Sequence, residues 1–399
     1  MRRDIDLKYA LLFGGGAIRG IAYCGAIKAL SEINVSADII AGSSVGSIIA
    51  GLIAVGYNAD EIRDIIMRVN FELFRDIQFA LGAQFALSKG EVFLEWIREL
   101  IEKKFYGENY KKGTHKAVTF SDIDKNLVII TTDLSSFECK EFSKSETPDF
   151  EIATAIRISC SMPGLMKPVE YNNRVLIDGD IQKSAPMWKL SKTLQPEDSR
   201  ILEFRLEGNF EGKDKNAIDY LNSVYSYATC TATDFITNLY GCCDRYDYII
   251  INTGDLNIVD FNLSDEKREQ LFNTGYEQTK NYFENVLVQK KINLANIYAQ
   301  IKTHLEKISS NLRANKIMQA KQHLGELYIY LADYLNLINE LDYKQIKNFK
   351  DIFLENIKYP ALFGKTTLKN EVLVNTTLKQ CIQTISEKLI DLNNYIEND

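Results

Sequence analysis

Glycine placement constrains this chain more than any other feature. All but two of its 22 glycines lie at or before Gly275, and only Gly325 and Gly364 follow. Glycine marks sharp turns and close backbone approaches and is disfavoured inside helices. The first part must therefore be built from short elements joined by tight turns, and the rest from long helices. Hydrophobic patterning agrees. Residues 9–13, 38–41, 127–130, 174–177, 201–206 and 248–251 read as strands, while 18–32, a segment from Val45, and 150–160 read as helices. This alternation predicts an α/β fold with a mostly parallel central sheet flanked by helices. Beyond residue 286 the period becomes helical. Leu294, Ile297, Ile301, Leu305 and Ile308 form one stripe; Leu324, Leu327, Leu331, Leu335 and Ile338 a second; Ile382, Ile385, Leu389, Leu392 and Ile396 a third. Spacings of three and four place each set on one helix face. The expected organisation is an α/β domain over 1–286 and an all-helical C-terminal domain over 287–399. The stripes fit a bundle packed on itself, or a module that binds a protein or small-molecule activator.

With 399 residues and 46% hydrophobic content the chain can bury a sizeable core. A net charge of −7 and the lack of a basic stripe argue against a nucleic-acid partner. The seven cysteines are odd in number and contain no CxxC pair, which disfavours a zinc site or disulfide framework and fits a reducing, cytoplasmic setting. Arg2, Arg3 and Asp4 followed by a short apolar run make a poor signal peptide. Residues 39–57 carry no charge and contain GxxxG from Gly42 to Gly46, the length of a membrane span. Asp38 and Asp60 flank them and a Gly-Ser-Ser-Val-Gly centre interrupts them, so a buried strand, turn and helix explain the apolarity.

Three motifs carry chemistry. Gly42-Ser43-Ser44-Val45-Gly46 matches G-x-S-x-G between a strand and a helix. That setting exposes a serine hydroxyl at a helix N-terminus, making Ser44 the candidate nucleophile. Gly14-Gly15-Gly16-Ala17-Ile18-Arg19-Gly20 lies between the first strand and first helix. It fails the dinucleotide and Walker A patterns. Read as an oxyanion hole, its small residues let backbone N–H groups converge at a helix start, with Arg19 adding positive charge nearby and Gly14 and Gly20 shaping the turn. Losing one such donor costs ~3 kcal/mol. The serine also needs a base. His304 and His323 fall in the helical part, and His115 sits among Lys111, Lys112 and Lys116. Asp178, followed by Gly179, ends a strand of the first domain, and sites in open sheets form at carboxyl ends of strands.

In this order the glycine-arginine loop, G-x-S-x-G and strand-Asp-Gly resemble the patatin-like phospholipase family and the catalytic core of cytosolic phospholipase A2 enzymes. Residues 23–30 look like the helix after the family's glycine loop, and 155–164 with Pro168 resemble the segment before its aspartate. The likeness spans about 9–286. It implies cleavage of lipid acyl esters by a Ser44–Asp178 dyad, with the N–H groups around Gly15, Gly16 and Ala17 as the oxyanion hole and Arg19 assisting, and without metal or other cofactor. It also implies a phospholipid or other acyl-lipid substrate met at a membrane surface; delivery as a secreted effector stays open. The chain departs from the family pattern at three places. Ala17 stands for the third loop glycine, tolerable if its φ is not strongly positive. Asp-Gly-Gly/Ala becomes Asp178-Gly179-Asp180. The Asn-rich turn before a proline becomes Lys183-Ser184-Ala185-Pro186. A second acid pointing inward raises the first one's pKa, so Asp180 is expected to face away. The aromatics Phe71, Phe74, Phe79, Phe85, Phe93, Trp96, Phe105 and Tyr106 cap an acyl pocket, touch lipid, or form an ordinary helix core. Two rival readings are a histidine-dependent esterase on soluble esters and a latent lipase activated through its C-terminal helices.

Overall fold

In the chain order of this computed structural model, strands and helices alternate as the glycine distribution requires. The structure describes residues 7–75, 86–136, 138–182, 200–208, 246–256, 262–335, 337–361 and 364–397. The first compact unit runs to Asn281, and the second begins at Tyr282. In the first are β1 (Leu7–Phe13), α1 (Ile21–Glu32), β2 (Val35–Ser43), α2 (Val45–Ala54), α3 (Ala59–Arg68), β3 (Ala86–Ser88) and α4 (Glu91–Tyr106). Then come β4 (Asn126–Asp133), β5 (Glu138–Ser143), α5 (Ile152–Ser159), β6 (Gly164–Met166), β7 (Val169–Tyr171), β8 (Arg174–Asp178), β9 (Arg200–Glu207), β10 (Tyr246–Asn252) and α6 (Asp265–Asn281). The turn at Lys183-Ser184-Ala185-Pro186 lies outside the described residues, as do Phe79 and Phe85.

Strands β10, β9, β1, β2 and β4 pair in parallel, in that order. Their apolar runs, such as Leu127–Ile130 of β4 at no more than 1% exposure, suit a sheet covered on both faces. Strands β5, β7 and β8 add antiparallel pairings, so the sheet is mixed but mostly parallel.

Strand β4 organises the region. It pairs with β5 along Val128 to Asp133. It also pairs with β2 along Asn126 to Ile130 and with β8 along Thr131 to Asp133. A strand has two edges, and β5 already occupies one over the whole overlap. Strands β2 and β8 must therefore share the other edge. They run toward each other along it and stop face to face, Ser43 opposite Ile130 and Asp178 opposite Thr131. Asp178 was expected at a carboxyl strand end of a parallel sheet. It ends an antiparallel strand instead, and reaches the site because β8 enters β4 from the far end.

The second unit contains α7 (Leu287–Arg313), α8 (Ile317–Tyr334), α9 (Glu340–Asn356), the two-residue strands β11 (Ile357–Lys358) and β12 (Thr367–Leu368), and α10 (Glu371–Glu397). It has its own core, including Ile301, Leu305, Leu327, Phe349, Phe353, Leu378 and Ile385. The stripes explain α7, α8 and α10, with one difference. Helix α8 stops at Tyr334, leaving Leu335 46% exposed, while Ile338 is buried beyond the helix end. Helix α9 was not anticipated, although Ile346, Phe349 and Phe353 repeat at spacings of three and four. Phe349 is fully buried. Phe349→Ala is expected to cost the helical unit about 3–5 kcal/mol through loss of buried surface and the cavity left behind. Denaturant unfolding followed by circular dichroism measures this loss.

Candidate active site

Ser44 leaves β2 at φ 52, ψ −129 and enters α2 directly. This is a left-handed, sterically costly conformation for serine, of order 1–3 kcal/mol, and it persists because the surroundings impose it. The spacing of G-x-S-x-G has a direct cause here. A Cβ on Gly42 would lie 2.2 Å from Gly46 O, and one on Gly46 would lie 2.0 Å from Phe13 O. Only bare backbone passes at both places. The turn presents Ser44 Oγ to Asp178, and the hydroxyl donates to Asp178 Oδ2 at 2.7 Å. Ser44 is 9% exposed and Asp178 fully buried.

The gap between the ends of β2 and β8 is filled by side chains that sequence reasoning did not assign. Ser159 Oγ donates to Ile130 O at 2.6 Å and accepts the Ser44 N–H at 3.0 Å. Asp178 N–H donates to Ser161 O at 3.1 Å. The buried Arg157 guanidinium donates to Ser161 Oγ at 2.6 Å and to Lys167 O at 2.9 Å. Burial lowers its pKa. Ser44 O accepts from Ser47 Oγ at 2.6 Å and Cys160 Sγ at 3.3 Å. Burial, with the Asp178 carboxylate nearby, pushes the Cys160 thiol up, so it remains a protonated donor rather than a rival nucleophile. The only sequence signal for this cluster was the Ser159-Cys160-Ser161 run at the end of α5. Gly179 packs on β4, where a Cβ would lie 2.2 Å from Ile130 O.

The glycine loop differs from expectation in four respects. First, Asp180 faces inward. It is 4% exposed, its Oδ1 accepts the Gly15 N–H at 2.8 Å, and its own N–H donates to Asp178 Oδ1 at 2.8 Å. Second, Gly15 therefore has no N–H to offer an oxyanion here. Gly16 and Ala17 are half-buried, and their N–H groups meet no acceptor among the described residues. Third, Ala17 adopts φ 48, a left-handed conformation that costs a side-chain-bearing residue roughly 1–2 kcal/mol. Residues Ala17–Gly20 consequently form a 3-10 turn, and α1 starts only at Ile21. Fourth, Arg19 is committed to structure: its Nε and Nη2 donate to Leu256 O at 3.1 and 2.6 Å. Gly14 is anchored by its N–H to Phe204 O at 3.0 Å and by Tyr23 Oη, which donates to Gly14 O at 2.8 Å. Gly20 ends the turn against Val45.

Two of the three histidines make local contacts of their own. Nε2 of His115 accepts from Lys111 N–H at 3.0 Å, and its ring stacks on Tyr106 at 4.1 Å. His323 Nδ1 lies 2.7 Å from Glu326 Oε2, and burial lowers the pKa of His304. Phe74, Phe93 and Trp96 form one ring cluster with Phe93 buried, whereas Phe105 is 40% exposed. The uncharged stretch 39–57 is the end of β2, the Ser44 turn and α2, and among the described residues no helix is long and apolar enough to cross a membrane.

Known proteins resemble this chain in sequence and in fold. The patatin-like phospholipase family profile matches residues 11–188. Protein R571 of Acanthamoeba polyphaga mimivirus is 31% identical over 289 residues, 68% of this chain and 92% of that one. The probable lipid hydrolase 463L of Invertebrate iridescent virus 6 is 29% identical over 184 residues, 44% of this chain and 61% of that one. The crystal structure of VipD from Legionella pneumophila has the same fold, with a TM-score of 0.52 at 16% identity, covering 96% of this chain and 90% of that one. The chain belongs to the patatin-like phospholipase family, and that membership supports lipid hydrolysis.

Two substitutions probe the local architecture. Gly46→Ala is expected to cost about 1–3 kcal/mol by overlap with the Phe13 backbone. Ser159→Ala, which strips partners from Ser44 N–H and Ile130 O, is expected to cost about 1–3 kcal/mol. Urea unfolding measures both.

Proposed function

We propose that this protein is a serine acyl hydrolase of the phospholipase A type, cleaving acyl esters of membrane lipids through a Ser44–Asp178 dyad. The observation that carries this reading is the 2.7 Å hydrogen bond from Ser44 Oγ to Asp178 Oδ2 at the meeting point of β2 and β8. Asp178 Oδ2 takes the Ser44 proton as Oγ attacks the ester carbonyl. The N–H groups of Gly16 and Ala17 receive the oxyanion, with the N-terminus of α2 adding a favourable dipole. Asp178 returns the proton to the departing alcohol, leaving Ser44 acylated. Water, deprotonated by the same carboxylate, then attacks the acyl-enzyme, and as the acyl–Oγ bond breaks Asp178 returns the proton to Ser44 Oγ and the fatty acid leaves.

A carboxylate is a weaker base than imidazole at neutral pH, so positioning and oxyanion stabilisation must supply more of the rate. The fixed Asp178 Oδ1, held by Asp180 N–H, supports this division: one oxygen is anchored and the other faces the nucleophile. Lipid substrates are supported by the family and by the name of its iridescent virus relative. The enzyme works peripherally at the membrane surface from the cytoplasmic side, with the helical unit beyond Asn281 as the place where an activator would act.

Ser44→Ala and Asp178→Asn are each expected to lower kcat on phospholipid micelles by about 10³-fold or more. Replacing His115, His304 and His323 together by alanine is expected to change it less than about threefold, because none enters the proton transfer. Fluorophosphonate labelling mapped by mass spectrometry should fall on Ser44. Labelling of another serine, or a large loss from any histidine substitution, overturns the dyad.

A further inference from the structure

Two features beside the dyad take no part in its proton transfer: the buried, inward carboxylate of Asp180 and the half-buried left-handed turn at Ala17. They are joined through Gly15. Asp180 Oδ1 accepts the Gly15 N–H at 2.8 Å. The carboxylate lies so close over this residue that a Cβ on Gly15 would meet its Cγ at 2.4 Å. The loop backbone is thus seated directly on the carboxylate. Immediately downstream, Gly16 has φ 156 and Ala17 has φ 48. An alanine stays in such a conformation only where its neighbours over-determine it. Gly14 is held by Phe204 O, and Arg19 N–H bonds back to Gly16 O. The tie at Gly15, directly before the strained pair, involves an acidic side chain, the stronger kind of acceptor for an amide when ionised.

We propose that Asp180 is a positioning residue whose buried carboxylate, seated on Gly15, holds the left-handed turn at Ala17 and aims the Gly16 and Ala17 N–H groups at the reacting carbonyl. The inference rests on the oxyanion-loop reading given above. Its electrostatics are two-sided. A negative charge near a developing oxyanion opposes it, and two donors held in fixed geometry offset that opposition. The backbone of the same residue anchors Asp178 Oδ1, so one residue couples the loop to the base.

A double-mutant cycle on the full-length protein tests the coupling, with a fluorogenic phospholipid in mixed micelles as substrate. Asp180→Ala is expected to lower kcat about tenfold with little change in KM, because the tie acts on the transition state. Asp180→Asn, which keeps an acceptor for Gly15 N–H, should lose less than about threefold. In the Ala17→Gly background, Asp180→Ala should also lose less than about threefold, since glycine takes the positive φ without support. Should Asp180→Ala not fold, Asp180→Ser, too short to seat on Gly15, carries the same expectation. Equal losses in both backgrounds, or a loss of thermal stability with kcat intact, overturn the proposal. Failure of the dyad itself would look different: Ser44→Ala would stay active and the fluorophosphonate would label another residue.

Discussion

The site depends on one edge of β4. Because β5 occupies the opposite edge, β2 and β8 are forced onto the same side, and their ends meet between Ile130 and Thr131. Backbone hydrogen bonding thereby does what a long flexible side chain could not. It fixes a serine and an aspartate at bonding distance while keeping both side chains short. Ser159 closes the gap left between the two strand ends, satisfying the Ile130 carbonyl and the Ser44 amide together. Buried polar groups are costly unless paired, and here pairing and positioning are the same act.

The absence of histidine from the proposed dyad changes what the remainder of the site must do. Imidazole would supply a base near neutral pH. A carboxylate shifts the demand to geometry, and the structure invests in geometry throughout. Ser44 and Ala17 both hold positive φ, Asp178 has its second oxygen fixed, and the loop is tethered at Gly14, Gly15 and Arg19 by three different partners. Local strain of this kind is stored where rigid surroundings enforce it.

What was legible in the sequence follows the range of the interactions. The Ser44 turn was readable because its signature is compact, Gly42, Ser44 and Gly46 falling within five residues, although Gly46 owes its bareness to the distant Phe13 backbone. The apolar periods of α7, α8 and α10 were readable for the same reason. The inward Asp180 was not, since its partner Gly15 is 165 residues away and nothing nearby in the chain distinguishes an inward from an outward acid. Nor was the antiparallel approach of β8, because strand register is set across the sheet rather than along the strand. The late start of α1 traces to Ala17, whose positive φ interrupts a segment whose apolar pattern alone continues the helix. Helix α9 was missed although its Ile346, Phe349 and Phe353 carried the same period as its neighbours.

The sequence distance across the serine–aspartate bond carries a kinetic consequence. The two residues are separated by 134 positions. Their meeting requires both β2 and β8 to be paired with β4, and contacts that close such long loops are slow to form. The serine–aspartate pair therefore exists only in a chain whose long-range pairings to β4 are complete. A nascent or partly unfolded chain would carry the serine and the acid yet lack the junction that joins them, so under the proposed function hydrolysis would report completed folding.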